Sequence, residues 1–245
     1  MNIVMNKDIE LLQKLIDSSQ RIVFFGGAGV STESGIKDFR SKDGLYKLQS
    51  KYGVPYEVIL SRTYFDLYPK TFYDFYREFM INKEAKPNAA HKYLAELEKR
   101  KQLTIITQNI DGLHQMAGSR NVLELHGSIY RNHCQSCYEF FEIDAITSTT
   151  DIPRCPHCGG IVKPDVVLYE EQLDNYVLDA SIRSIEEADL LIVAGTSLAV
   201  YPANGLIRYF KGNKIVVINK DHLLLNSEVT LEINSPVGEV FSKLK

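Results

Sequence analysis

The sequence predicts an α/β fold: a doubly wound parallel sheet interrupted by a cysteine-bearing module and a small helical insert. Three observations predict it. Apolar runs rich in β-branched residues recur at 22–25 (IVFF), 103–107 (LTIIT), 190–194 (LLIVA) and 214–218 (KIVVI). They lack the polar alternation of a half-exposed strand, so they suit a sheet covered on both faces. Stretches of helical spacing fall between them, the rhythm of crossover helices linking parallel strands. Four cysteines, all between Cys134 and Cys158, break that rhythm once.

Taken in order, residues 8–19 carry Ile9, Leu12, Leu15 and Ile16 at helical spacing, and the strand at 22–25 then enters the turn Gly26-Gly27-Ala28-Gly29-Val30-Ser31. Small residues there let backbone N–H groups approach a pyrophosphate at a helix N-terminus. The spacing is not GxGxxG, because Thr32 stands where the last glycine would fall, and the plainer alternative is a tight turn. Asp38, Phe39 and Arg40 then place an acid, an aromatic and a base in consecutive loop positions. Residues 41–80 are aromatic-rich and irregular, a flexible loop followed by a short helical insert.

A helical stretch near 88–100 leads to the strand 103–107, which ends at Gln108-Asn109-Ile110-Asp111-Gly112-Leu113-His114. Open α/β sheets bind ligands at the carboxyl ends of their strands, so two amides and a carboxylate there suit a substrate; for Asp111 the alternative is turn or N-cap duty. The next apolar run, 122–125, ends at His126-Gly127. A histidine at a strand end is a candidate general base, with a pKa suited to neutral pH.

Cys134-x2-Cys137 and Cys155-x2-Cys158, seventeen residues apart, match a zinc ribbon. Four thiolates fill the coordination sphere, so the site reads as one structural zinc ion with no open position for water. His133 and His157 are adjacent alternatives as ligands, and an electron-carrying or nucleic-acid-binding knuckle is the competing reading. The chain resumes with helical stretches at 175–187 and 203–210. Its last two apolar strands end at Gly195-Thr196-Ser197-Leu198 and at Asn219.

The expected division is a discontinuous sheet domain (1–40, 81–126 and 164–245), the insert 41–80 and the zinc-ribbon module 127–163. A net charge of −3 provides no overall basic field, so no direct nucleic-acid binding is expected. The first twenty residues lack the apolar core of a signal peptide, and no run approaches the roughly 18 apolar residues of a membrane span. Clustered CxxC pairs suit a reducing compartment, so no membrane association and a cytoplasmic location are expected.

Taken together, GAGVSTESGIKDFR at 27–40, QNIDGLH at 108–114, LHG at 125–127, the paired CxxC, GTSL at 195–198 and IN at 218–219 resemble the sirtuin family of NAD-dependent protein deacylases. The motifs stand in family order over nearly the whole chain. The resemblance implies a Rossmann-like domain that consumes NAD as a co-substrate. Ala28 and Thr32 would contact the NAD phosphates, Phe39 would shield the reacting ribose and Arg40 would steady the cofactor. Gln108 would bind the nicotinamide ribose with Asn109 beside it, and Ile110 and Asp111 would line the nicotinamide pocket. His126 would act as general base on a ribose hydroxyl, while Thr196, Ser197 and Asn219 would hold the adenosine half, with Val237 near the adenine. Val167 would line the acyl-lysine tunnel.

By the same resemblance, the acyl oxygen of an acetylated protein or peptide would attack the anomeric carbon as nicotinamide leaves, ending in acyl-ADP-ribose and free lysine. ADP-ribosyl transfer to a protein and a non-catalytic NAD-sensing zinc-ribbon module are the rival readings. The sequence departs from the family pattern at Lys37, where proline is usual, and at Leu168-Tyr169-Glu170-Glu171, where aromatic-aromatic-Gly-Glu is usual. It lacks the Tyr-x-x-Arg pair with which some members recognise acidic acyl chains. Arg62, Arg77 and Lys47 are read as solvated charges, so a neutral acyl group such as acetyl is expected.

Overall fold

A computed structural model of the chain describes residues 2–36, 51–199, 203–223, 225 and 227–245. Lys37, Phe39, Arg40 and Lys47 lie outside the described residues, as does most of the expected loop. In chain order the strands are β1 (Arg21–Gly26), β2 (Gln102–Thr107), β3 (Val122–Glu124), β4 (Gly127–Cys134), β5 (Phe140–Phe141), β6 (Val162–Val166), β7 (Leu190–Ala194), β8 (Ile215–Ile218) and β9 (Leu231–Ile233). Six of them form one sheet in the order β3-β2-β1-β7-β8-β9, every pair parallel. The other three form a small antiparallel sheet, β5-β4-β6.

Alternation of side chains along each strand explains why both faces are covered. Ile22 and Phe24 join Ile105 and Ile192 on one face, packed against Leu12 and Ile16 of the helix Asn2–Asp17, Leu94 of Ala89–Glu98 and Phe241 of Val237–Phe241. Val23 and Phe25 join Ile106, Val193 and Val217 on the other, against Ile185 of the helix Asn175–Glu187 and Leu206 of Ala203–Tyr209. The last of these elements, in the helical stretch expected at 203–210, is a 3-10 helix; Gly205 near its middle weakens an α-helical ladder.

The irregular aromatic stretch resolves into the helices Arg62–Leu67 and Pro69–Phe75 and a π-helical turn Tyr76–Met80. Phe65, Phe72, Tyr73 and Phe75 pack against Ile129, Cys134, Ile146 and Val162 of the cysteine module in a third core. The Tyr73 hydroxyl donates to the Val162 carbonyl over 2.6 Å. Arg77 is correspondingly not the solvated charge expected. Its Nε donates to the Ile146 carbonyl at 2.8 Å and its Nη2 to that of Asp151, fastening the insert to the module. The small sheet runs on through Val166, past the boundary expected at 163.

Beneath the sheet's carboxyl end, His91 and His114 are buried at 0% and 1% exposure with ring centroids 4.7 Å apart. Burial lowers His91 to about 4; burial, then the neighbouring His91, lowers His114 to about 3. The unfolded chain titrates both near 6.5 and binds more protons than the folded one below that pH. The stability gained by keeping the rings neutral is therefore complete above pH 6.5 and lost as the pH falls towards 4 and 3. Denaturant titrations at pH 7, 6 and 5 should show falling stability, and His114→Leu should flatten that slope by up to about 1.4 kcal/mol per pH unit. An unchanged slope in the variant would mean that His114 takes up its proton in the folded protein at the same pH as in the unfolded chain.

Candidate active site

The chain runs outward from β1 through β2 and β3, then returns to β7 on the other side of β1. The sheet order thus reverses between β1 and β7, and a crevice opens at such a point at the carboxyl ends of the two strands. Close approach of the two turns there explains the glycines. Gly29 N–H donates to the Gly195 carbonyl at 2.8 Å, and a Cβ on Gly29 would lie 2.7 Å from Gly195 Cα. Gly195 itself has φ 58°, and a Cβ on it would lie 2.4 Å from Val30 N. Ala28 and Thr32 sit on two successive 3-10 turns leaving β1, Ala28–Val30 and Thr32–Ser34, which end at Gly35 in the left-handed region.

The strand-end residues of β2 meet this turn. Gln108 Nε2 donates to Thr196 Oγ1 at 3.0 Å, joining the ends of β2 and β7 across β1. Asn109 Nδ2 donates to Ser31 Oγ at 3.0 Å, and Ser31 Oγ donates to Asp111 Oδ2 at 2.6 Å. The other Asp111 oxygen accepts the Leu113 N–H at 2.9 Å, so the turn role weighed for this residue is present alongside the cross-link. Burial raises the Asp111 pKa above the usual carboxylate value, opposed by the Ser31 and Leu113 hydrogen bonds. Ser31, completely buried, is a member of this network that sequence reasoning did not single out. Only its two partners, 78 and 80 positions away, distinguish it from an ordinary turn serine.

His126 stands between the two sheets. Its Nδ1 lies 2.9 Å from the Gln108 carbonyl oxygen, and its own carbonyl accepts the Val167 N–H at 3.0 Å. A carbonyl only accepts, so Nδ1 carries the hydrogen and, in the neutral ring, Nε2 carries the lone pair. The next residue, Gly127, has φ 77°, and a Cβ there would lie 1.7 Å from the Asp165 carbonyl oxygen, so only glycine lets the chain turn from His126 into β4.

The remaining candidates fall in less enclosed places. Ile110 packs at the edge of the third core, and its carbonyl accepts the Ile129 N–H. Ser197 is exposed at the end of β7, and Asn219 follows β8 with its amide donating to the Asp221 carbonyl. Val237 buries its side chain in the core with Val30 of the glycine-rich turn, so its approach to a ligand would be through its backbone.

Beyond Val167, Glu170 occupies the position where the family pattern has glycine and keeps a positive φ of 75°. That conformation costs a non-glycine residue roughly 1–2 kcal/mol, offset in part here by the Thr63 N–H donated to its carboxylate at 2.8 Å. Arg62 is held by Asp66 at 2.9 Å and Glu171 at 3.4 Å. Neither Arg62 nor Arg77 therefore presents an uncommitted guanidinium to a ligand.

In the small sheet, ligand atoms of Cys134, Cys137, Cys155 and Cys158 all lie within 4.8 Å of one another, with Sγ separations of 3.4 Å for Cys134–Cys158 and 3.7 Å for Cys137–Cys155. A tetrahedral ion with Zn–S near 2.3 Å would set its sulfurs about 3.8 Å apart, whereas a disulfide needs about 2 Å. The donor set and spacing fit zinc. Neither His133 nor His157 joins the cluster; His133 Nδ1 pairs instead with Asp165 at 2.8 Å.

The Sir2 family pattern matches residues 27–202. The chain is 57% identical to an NAD-dependent protein deacetylase of Clostridium acetobutylicum over 95% of its own length and 96% of that protein's. Among solved structures it resembles a Sir2 homolog–NAD complex, with 40% identity, TM-score 0.85 and coverage of 96% of this chain and 91% of the other. It also resembles a Sir2 protein with a deacetylated p53 peptide and 3′-o-acetyl ADP ribose, at 35% identity, TM-score 0.83 and 96% coverage of both chains.

Proposed function

The chain belongs to the Sir2 family, and from that premise we propose that it removes acetyl groups from protein lysines, consuming NAD and transferring the acetyl group to ADP-ribose. The observation that carries this reading is the setting of His126: an imidazole tied through Nδ1 to Gln108, beside the segment that leaves β6 at Val167. Ala28, Thr32, Gln108, Ile110 and Asp111 would hold the phosphate and nicotinamide half of NAD. Thr196, Ser197, Asn219 and the Val237 backbone would hold the adenosine half, and Phe39 and Arg40 would complete the site.

In the first step the acetyl oxygen of the substrate bonds to the anomeric carbon while the bond to nicotinamide breaks. His126 Nε2 then takes the proton of a ribose hydroxyl, whose oxygen attacks the imidate carbon. Addition of one water and loss of the amine balance the reaction, giving lysine, nicotinamide and acetyl-ADP-ribose. Asn109 and Asp111, joined through Ser31, orient the pocket in which nicotinamide leaves. When bound, the zinc ion ties the two knuckles of residues 127–163 together, and a closed four-thiolate set leaves it no part in activating water.

Substrates on this reading are acetylated proteins or peptides. The cytoplasm remains the expected location; among the described residues no helix is long and apolar enough to cross a membrane. The acyl preference tests the reading further. A carboxylated chain entering an apolar tunnel loses its hydration and needs a cation in return. With Arg62 and Arg77 committed elsewhere, an acetyl-lysine peptide should show a kcat/KM at least ~10-fold above the matched succinyl-lysine peptide. Equal or reversed values would mean that a basic residue turns into the tunnel.

A further inference from the structure

The turn proposed to face the NAD phosphates is built from two single 3-10 turns, Ala28–Val30 and Thr32–Ser34, rather than from a continuing helix. Short 3-10 pieces have poor hydrogen-bond geometry and do not lock their own shape. Something outside the turn must fix it. One tether is the Ser31–Asp111 bond already described; a second is Glu33, whose carboxylate accepts the Gly238 N–H at 2.5 Å. The third comes from Asn88. We propose that Asn88 is a positioning residue for NAD, setting the shape of the phosphate-facing turn through its side-chain amide; this rests on the deacetylase reading above.

Asn88 is the N-cap of the helix Ala89–Glu98, and its side chain serves two tasks with its two ends. Oδ1 accepts the Ala90 N–H at 2.9 Å, capping the helix. Nδ2 donates to the Val30 carbonyl at 2.7 Å and to Ser34 Oγ at 3.1 Å, spanning both 3-10 turns on either side of Thr32. The Asn88 backbone is held from behind, because His91 Nδ1 accepts its N–H at 3.3 Å, completing a capping box on a buried ring. Helix capping needs only the oxygen. Asparagine, rather than the serine or aspartate that caps equally well, is accounted for by the nitrogen and its hold on the cofactor turn.

That division of labour makes the two roles separable. Asn88→Ser and Asn88→Asp both keep an N-cap oxygen and both remove the donor to Val30. Their melting temperatures should stay within a few degrees of the parent's, because serine and aspartate cap a helix about as well as asparagine. KM for NAD should rise by about 10-fold, as expected when roughly two hydrogen bonds stop holding the turn, while kcat and KM for the acetylated peptide change less than about twofold. Loss of affinity in both variants separates tether loss from the charge that aspartate introduces. Unchanged KM for NAD in both would overturn the proposal, as would a fall in kcat that simply tracks lost stability. Calorimetric titration with NAD runs alongside. If the parent binds NAD without deacetylating, the deacetylase reading fails and the Kd ratio between parent and variants still decides the role of Asn88; if the parent does not bind NAD, both fall.

Discussion

His126→Ala is expected to lower deacetylation by roughly 10²–10⁴-fold, the range for loss of a positioned acid or base, while the protein stays folded and still binds NAD. The substitution leaves the local architecture in place, since the contact that docks Val167 uses the His126 backbone carbonyl rather than its ring. What disappears is the imidazole whose Nδ1 is fixed by the Gln108 carbonyl. Single-turnover assays at saturating NAD and acetylated peptide, paired with calorimetric NAD titration, measure the two quantities separately. Near-normal turnover in a folded variant would remove His126 from the mechanism.

Loss of a cysteine should be as damaging by a different route. Cys134 and Cys155 are buried within the third core, which also contains Phe72 and Tyr73 of the insert, so metal, module and insert share one packing unit. Metal binding in small cysteine modules is coupled to folding. Cys134→Ser or Cys155→Ser should therefore release the zinc and lower the melting temperature by about 10 °C or more, taking several kcal/mol as the loss. Activity should fall because β4 and β6, which carry the chain on from His126 and into Val167, lose their support. Metal analysis and thermal melts on the purified variants check this, and a metal-free variant of full stability and activity would contradict it.

The parts of the fold legible in the sequence were those where burial on both faces leaves an unbroken apolar signature. β1, β2, β7 and β8 are of this kind, and the helix Asn175–Glu187 lies where its spacing placed it. The small sheet was not legible as strands from its apolar pattern. β4 runs Gly-Ser-Ile-Tyr-Arg-Asn-His-Cys, and β6 contains Lys163, Pro164 and Asp165. Polar residues along β4, the central strand, and the proline in β6, an edge strand, leave neither clear alternation nor an apolar run. β9, three residues long, is too short for any period to register.

At the site, the strand-end positions of Gln108, Asn109, Asp111 and Thr196 were readable because loops after parallel strands converge on one edge. Their mutual bonds were not, since Ser31, the hinge between Asn109 and Asp111, lies in a glycine-rich turn where serine is an ordinary residue. Arg77 was misread for a related reason: a charged residue in an aromatic insert looks solvated until the module it grips is folded against it. Glu170 shows the converse, a residue whose sequence argues against a left-handed turn that its surroundings nevertheless impose.

The most direct test of deacetylation is to incubate the purified protein with NAD and one acetylated lysine peptide, following nicotinamide release and peptide mass in the same samples. The account predicts one nicotinamide for each peptide that loses its acetyl group, with acetyl-ADP-ribose as the third product and no reaction when NAD is withheld. Nicotinamide release with the peptide or the protein itself gaining ADP-ribose, or loss of acetyl without nicotinamide, would contradict it.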